Sequence, residues 1–256
     1  MTILTGIFLF VLGLCIGSFL NVLIDRLPKG KSVVSGRSHC DYCRHTLAWY
    51  DLIPLFSFLY LRRKCRYCQK VISWQYPVIE LLTGAFFVLV YLLDNQNYQL
   101  LITNYQLIII SGLIVIFFAD LKFRIIPDQV LIVLIAASFL FDLFYEQNLL
   151  LGHLLAAIVF GAFFLILFLF TKGKGMGFGD VKFAFFMGLF LGYPKIIVAF
   201  YLSFLTGAAV SLILILAGKK TMKSTIPFGP FLIVSTIISQ FMGNQLWEIF
   251  KRFLTL

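Results

Sequence analysis

Apolar residues fall along this chain in eight long blocks, showing neither the strict alternation of a half-buried strand nor the single stripe of an amphipathic surface helix. The blocks occupy 3–24, 77–93, 100–119, 126–145, 149–170, 181–193, 196–217 and 226–247. A helix rising about 1.5 Å per residue needs about 20 residues to cross a hydrocarbon core, so each block predicts a transmembrane helix. The sixth block is short, and it is expected to begin before 181 or to tilt little. One long polar stretch, 25–76, interrupts the pattern and predicts a small extramembrane domain. The expected architecture is an all-α polytopic membrane protein. It has a first transmembrane helix at 1–24, a polar loop at 25–76 and a seven-helix membrane domain at 77–256.

Composition excludes the soluble alternative. Hydrophobic residues make up 61% of the 256 residues and charged residues 12%, against about 25% charged in a soluble domain. The net charge of +10 invites a nucleic-acid reading. The lysines and arginines, however, lie between the apolar blocks rather than along one face, so the lipid bilayer is the expected partner and no nucleic acid is expected. The 25–76 loop holds ten of them: Arg26, Lys29, Lys31, Arg37, Arg44, Arg62, Arg63, Lys64, Arg66 and Lys70. Alternate connections carry Lys122 and Arg124, then Lys172, Lys174 and Lys182, then Lys219, Lys220 and Lys223. The intervening connections, around 94–99, 146–148 and Lys195, carry a single lysine. Eighteen of 21 basic residues therefore share one side, which the positive-inside rule makes cytoplasmic, with the N-terminus outside. Lys251 and Arg252 are the exception. No basic residue precedes the first block and no small-residue cleavage signal follows it, so it reads as a retained helix.

That topology brings three aspartates to one membrane boundary. Asp120 closes the third block, Asp128 opens the fourth, and Asp180 opens the sixth after Gly175-Met176-Gly177-Phe178-Gly179. Carboxylates near hydrocarbon are costly and need a reason. Asp128, at a helix start after a proline, reads as a cap. Asp120 lies at a helix C-terminus, where the dipole disfavours a carboxylate, so capping does not explain it. Asp180 either caps the sixth helix and pairs with Lys182 or takes part in chemistry. Two carboxylates close together cannot both ionise. The charged one can then activate water while the neutral one polarises a carbonyl. Gly175, Gly177 and Gly179 permit close backbone approach and unusual dihedrals beside Asp180.

Cys40-Asp41-Tyr42-Cys43 and Cys65-Arg66-Tyr67-Cys68 form two CxxC knuckles with 21 residues between them. This spacing suits a four-cysteine zinc site, which folds a short loop with little core. Redox-active CxxC pairs are the competing reading. His39 and His45 flank the first knuckle, but four cysteines already complete a zinc shell. Cys15, inside the first block, reads as a packing residue. No internal repeat is apparent.

At these residues the chain resembles the bacterial type IV prepilin peptidases, a family of membrane aspartic proteases. Gly175 to Lys182 is similar to the family's glycine-rich aspartate motif, and Asp120 to Asp128 to its other aspartate motif. Gly17-Ser18-Phe19-Leu20-Asn21-Val22 with Arg26-Leu27-Pro28, the paired CxxC knuckles, Tyr76-Pro77-Val78-Ile79-Glu80 and Pro227-Phe228-Gly229-Pro230 extend the likeness over nearly the whole chain. The resemblance implies that Asp120 and Asp180 are the catalytic pair, with Asp128 accompanying them. It implies cleavage of a prepilin or pseudopilin leader after a glycine at the cytoplasmic face of the bacterial inner membrane, serving pili, secretion or DNA uptake. It also implies S-adenosylmethionine-dependent methylation of the new N-terminus. No glycine-rich dinucleotide fingerprint marks a methyl-donor site. Glu80 is a candidate for that second activity or for substrate binding, or a buried partner for a lysine. The substrate's basic leader would meet a strongly basic loop, and anionic lipid would be what holds the leader nearby. A presenilin-like protease would not need the cysteines. A cation-coupled transporter would place more carboxylates at mid-membrane, and a zinc-dependent adaptor would leave the three aspartates without a task.

Overall fold

The computed structural model describes residues 3–93, 100–173, 175–219, 221 and 226–254. Lys174, Lys220 and Lys223 and the 94–99 connection, counted above, lie outside the described residues. Nine α-helices follow in order among them: α1 (Ile3–Arg26), α2 (Phe56–Tyr60), α3 (Gln75–Leu93), α4 (Leu100–Phe123), α5 (Asp128–Tyr145), α6 (Gln147–Phe170), α7 (Phe178–Leu191), α8 (Lys195–Leu216) and α9 (Gly229–Leu254). Short 3-10 turns at Leu27–Lys29 and Trp49–Leu52 and two isolated β-bridges complete the polar loop. The protein is an all-helical membrane protein. Among the described residues six helices, α1, α3, α4, α5, α6 and α8, are long and apolar enough to cross a bilayer. The other two blocks form α7 and α9. α9 is diluted by Ser, Thr, Gln and Asn residues, and α7 begins at Phe178, ahead of 181 as expected.

The chain forms two compact units, residues 1–115 and 116–256. In the first, α1 packs along α3 at backbone contact distance. A Cβ at Gly13 would lie 2.6 Å from the Gly84 Cα, and one at Gly17 would lie 2.7 Å from the Glu80 Cα. Small residues let membrane helices approach this closely, where dispersion contacts between backbones replace the missing hydrophobic drive. This contact brings Glu80 against α1. Cys15, read above as a packing residue, faces outward instead, because the packed face of α1 is its glycine side, with Gly6, Gly13 and Gly17 buried.

In the second unit α7 is the central element. Its 14 residues make a helix about 21 Å long. Val181, Phe183, Ala184, Phe186, Met187, Leu189, Phe190 and Leu191 are all buried, as expected of a helix that is apolar all round. α5, α6, α8 and α9 pack around it. Phe164 on α6 anchors an aromatic cluster with Phe200, Phe204 and Phe228. The buried Asp142 on α5 pairs with His153 Nδ1 on α6 at 2.8 Å.

Candidate active site and metal centre

Asp120 sits one turn before the end of α4, and Asp180 sits in the first turn of α7, both in the second unit. They are 6% and 7% exposed. The charge of Asp120 acts on Asp180, so two carboxylates 60 positions apart in sequence lie within electrostatic reach of each other. Asp120 Oδ2 is buried without a hydrogen-bond partner. The Gly229 N–H and the Arg124 charge bear on the Asp120 carboxylate. Gly229 opens α9, and a Cβ there would meet Asp120 Oδ2 at 2.5 Å. Its lack of a side chain is what makes room for the carboxylate.

Asp180 Oδ2 accepts the Gly177 N–H at 3.1 Å, which satisfies one of the open donors at the start of α7. Asp180 thus makes the helix-start contact of one of its two readings, without the Lys182 partner that reading included. Lys182 Nζ reaches Asp128 Oδ1 at 2.6 Å instead, in an exposed ion pair between α7 and α5. Asp128 is the first residue of α5 rather than its cap, and Pro127 occupies the cap position without a side-chain bond. Of the two properties expected of the glycines, close approach is present and unusual dihedrals are not. None of Gly175, Gly177 and Gly179 has a positive φ. What glycine provides here is space: a Cβ at Gly179 would press to 3.1 Å against Ile126, and one at Gly177 would stand 3.7 Å from Asp180 Oδ2.

The four cysteines Cys40, Cys43, Cys65 and Cys68 present Sγ atoms that all lie within 4.8 Å of one another, and none is in a disulfide. The Cys40–Cys68 separation is 3.8 Å. Tetrahedral zinc with Zn–S bonds of about 2.3 Å has sulfur–sulfur edges of about 3.8 Å, so the donor set fits one such ion. The knuckles are near copies of each other. Cys40 N–H donates to His45 O and Arg44 N–H to Cys40 O; Cys65 N–H donates to Lys70 O and Gln69 N–H to Cys65 O. Arg44 and Gln69, each following its second cysteine, take left-handed φ values of 56° and 57°. This local repeat escaped the sequence reading because only the cysteines and Tyr42/Tyr67 match. Asp51, also missed, ties the loop together. It accepts from Arg66 Nε at 2.8 Å, Tyr67 Oη at 3.1 Å and Ala48 N at 3.2 Å. Burial works to raise its carboxyl pKa, but these donors outweigh burial and hold it below the ordinary value.

Glu80 does not meet a lysine. Its Oε2 accepts the Leu55 N–H at 2.8 Å, and the Ser18 hydroxyl also reaches it.

Residues 11–93 match the family model described as bacterial Peptidase A24 N-terminal domain, and residues 107–212 match the type IV leader peptidase family. Among similar proteins is a prepilin leader peptidase/N-methyltransferase of Myxococcus xanthus. It is 36% identical over 84% of this chain and 64% of its own length. A protein of the same name from Bacillus subtilis is 31% identical over 95% of this chain and 97% of its own. Another, from Aeromonas hydrophila, is 31% identical over 93% of this chain and 90% of its own. No solved structure matches the chain. The aspartate pair and both knuckles fall inside the matched segments, and the chain belongs to the type IV leader peptidase family.

Proposed function

We propose that this chain is a membrane aspartic endopeptidase. It removes the leader of type IV prepilins or pseudopilins after a glycine at the cytoplasmic face of the bacterial inner membrane, and it methylates the new N-terminus. One observation carries the peptidase reading: Asp120 and Asp180 are buried within electrostatic reach of each other, and Asp120 Oδ2 has no protein partner. A pair of this kind titrates as a unit, with one member protonated while the other is ionised. The ionised carboxylate takes a proton from a water, whose oxygen attacks the scissile carbonyl carbon. The protonated partner donates a hydrogen bond to the carbonyl oxygen as charge develops there. The leaving amine then receives a proton from the pair, which returns to its starting state. The Lys182–Asp128 ion pair supports this chemistry from outside, because it keeps the ammonium off Asp180 and leaves the pair free to share a proton.

Cys40, Cys43, Cys65 and Cys68 would hold a structural zinc ion that folds the loop. The methyl donor, S-adenosylmethionine, supplies an electrophilic methyl group when bound. The basic loop and connections support an orientation with this loop in the cytoplasm and the N-terminus outside.

Cleavage of a co-expressed prepilin by wild type, Asp120→Asn, Asp180→Asn and Asp128→Asn, at matched membrane levels, tests the assignment. The first two variants are expected to lose about a thousandfold or more in rate. Asp128→Asn should stay within about tenfold, as expected for loss of an exposed ion pair. If Asp120→Asn and Asp180→Asn both still cut, the two-aspartate mechanism is wrong.

A further inference from the structure

The polar loop contains a stretch that is not polar. Residues 47–61 read Leu-Ala-Trp-Tyr-Asp-Leu-Ile-Pro-Leu-Phe-Ser-Phe-Leu-Tyr-Leu, with Asp51 the only charged residue. The stretch is too short to cross a hydrocarbon core and Pro54 breaks it. It folds as the Trp49–Leu52 turn followed by α2. Phe58 alone is buried, and its ring packs 5.2 Å from that of Trp74. Its neighbours point outward: Trp49 is 77% exposed, Phe56 62%, Leu59 72% and Tyr60 71%. Phe56, Leu59 and Tyr60 stand at i, i+3 and i+4, so α2 carries an apolar stripe on its outer face. Single exposed apolar residues are ordinary, but a contiguous patch marks a surface that something covers.

Position and charge say what covers it. Leu55 is the centre of a γ-turn, with φ 57° and the Phe56 N–H donating to Pro54 O. That strained turn turns the Leu55 N–H away from the helix, and it donates to Glu80 Oε2 at 2.8 Å. Glu80 lies in the second turn of α3, inside the apolar block 77–93. Trp74, which holds Phe58, directly precedes α3. The patch is therefore tied to the first turns of a helix long and apolar enough to cross a bilayer, whose Val78, Leu81 and Leu82 are exposed in their turn. The charge is one-sided. The Asp51 side chain is 3% exposed and turned inward to Arg66. Arg62 and Lys64, just after α2, are exposed. Aromatic and apolar side chains flanked by cations are the composition of a segment lying in the headgroup layer.

We propose that residues 47–64 form an interfacial anchor that lays the four-cysteine loop on an anionic bilayer surface. Trp49, Phe56, Leu59 and Tyr60 enter the boundary between headgroups and acyl chains, and Arg62 and Lys64 meet lipid phosphates. Glu80 is then a positioning residue, which fixes the height of α2 against α3. The anchor holds the loop at a set distance from the membrane whether or not the chain cuts a substrate, so it goes beyond the peptidase reading.

Photocrosslinking of the wild-type chain in nanodiscs, with phosphatidylglycerol carrying a diazirine on its headgroup, tests this on the native sequence. Lipid adducts should map to peptides within 47–64. In Arg62→Gln/Lys64→Gln they should fall about fivefold or more, as expected for loss of two cations at an anionic surface. A Trp74→Phe/Trp247→Phe chain leaves Trp49 as the single tryptophan. Phosphatidylglycerol brominated high on its acyl chains should quench Trp49, and acrylamide in the water should quench it less than in the detergent-unfolded chain. No adducts within 47–64, or a Trp49 open to acrylamide and untouched by bromine, overturns the anchor. Unchanged adducts in the double variant overturn the role given to Arg62 and Lys64. If Trp49 becomes shielded only when prepilin is added, the patch is a substrate surface. If it is shielded only in discs holding two chains, the patch joins two copies. Either result makes the lipid assignment wrong.

Discussion

Asp120 and Gly229 illustrate how little room the candidate site leaves at the residue scale. A methyl group at position 229 would stand 2.5 Å from a carboxylate oxygen, so Gly229→Ala must displace either Asp120 or the start of α9. Gly177→Ala adds a methyl group 3.7 Å from Asp180 Oδ2, an ordinary contact distance. Cleavage assays on the two variants at equal protein level should therefore separate them. Gly229→Ala is expected to lose about a hundredfold or more, since a 1 Å misplacement of a reacting group costs on that order, and Gly177→Ala about tenfold or less. Equal activities would show that Gly229 does not bear on the reacting carboxylate. Asp120 stood out in the sequence because a carboxylate at a helix C-terminus opposes the dipole. The partners of Asp128 and Lys182 were not legible, because the ion pair joins residues 54 positions apart through packing of α5 on α7.

At the scale of single elements, the four-cysteine loop makes the sharpest predictions. Its short helices bury little, so the metal supplies most of its folding free energy. Treatment with a strong chelator is expected to release one zinc per chain and expose all four thiols to a thiol reagent. Far-ultraviolet circular dichroism should keep its helical signal from the membrane helices. Failure to recover any metal with the purified chain would remove the zinc assignment. Arg44 and Gln69 hold left-handed backbone that costs a non-glycine residue about 1 kcal/mol. Arg44→Gly and Gln69→Gly should therefore slow metal loss to the chelator or leave it unchanged, and faster loss from both would contradict the knuckle geometry. The cysteine spacing was readable in advance because two-residue separations fix which thiols can converge on one ion. The Asp51 cross-link was not, since it depends on which turn lies against the second knuckle.

At the scale of the whole molecule, orientation is the open physical prediction. An impermeant maleimide should label Glu146→Cys in intact cells, whereas Lys122→Cys should be labelled only after permeabilisation. The reverse pattern would invert the topology and put the aspartate pair on the outer side. The placement of the eight long helices needed only the one-dimensional pattern, because the thickness of hydrocarbon sets the length of an apolar block; the short α2 in the polar loop carries no such block. The basic residues carried the expected orientation for the same reason: charge is excluded from that layer wherever it occurs in the chain. Family membership was likewise legible in the order of short motifs. Tertiary structure alone decided that α7 is a buried central helix, that Cys15 points away from the glycine-lined contact, and that Asp120 and Asp180 come within electrostatic reach of each other. It alone tied Leu55, at the start of α2, to Glu80 on α3. The first kind of property follows from spacing along the chain and the solvent each residue must avoid. The second follows from which faces can approach closely, and that is set by distant residues whose positions obey no period.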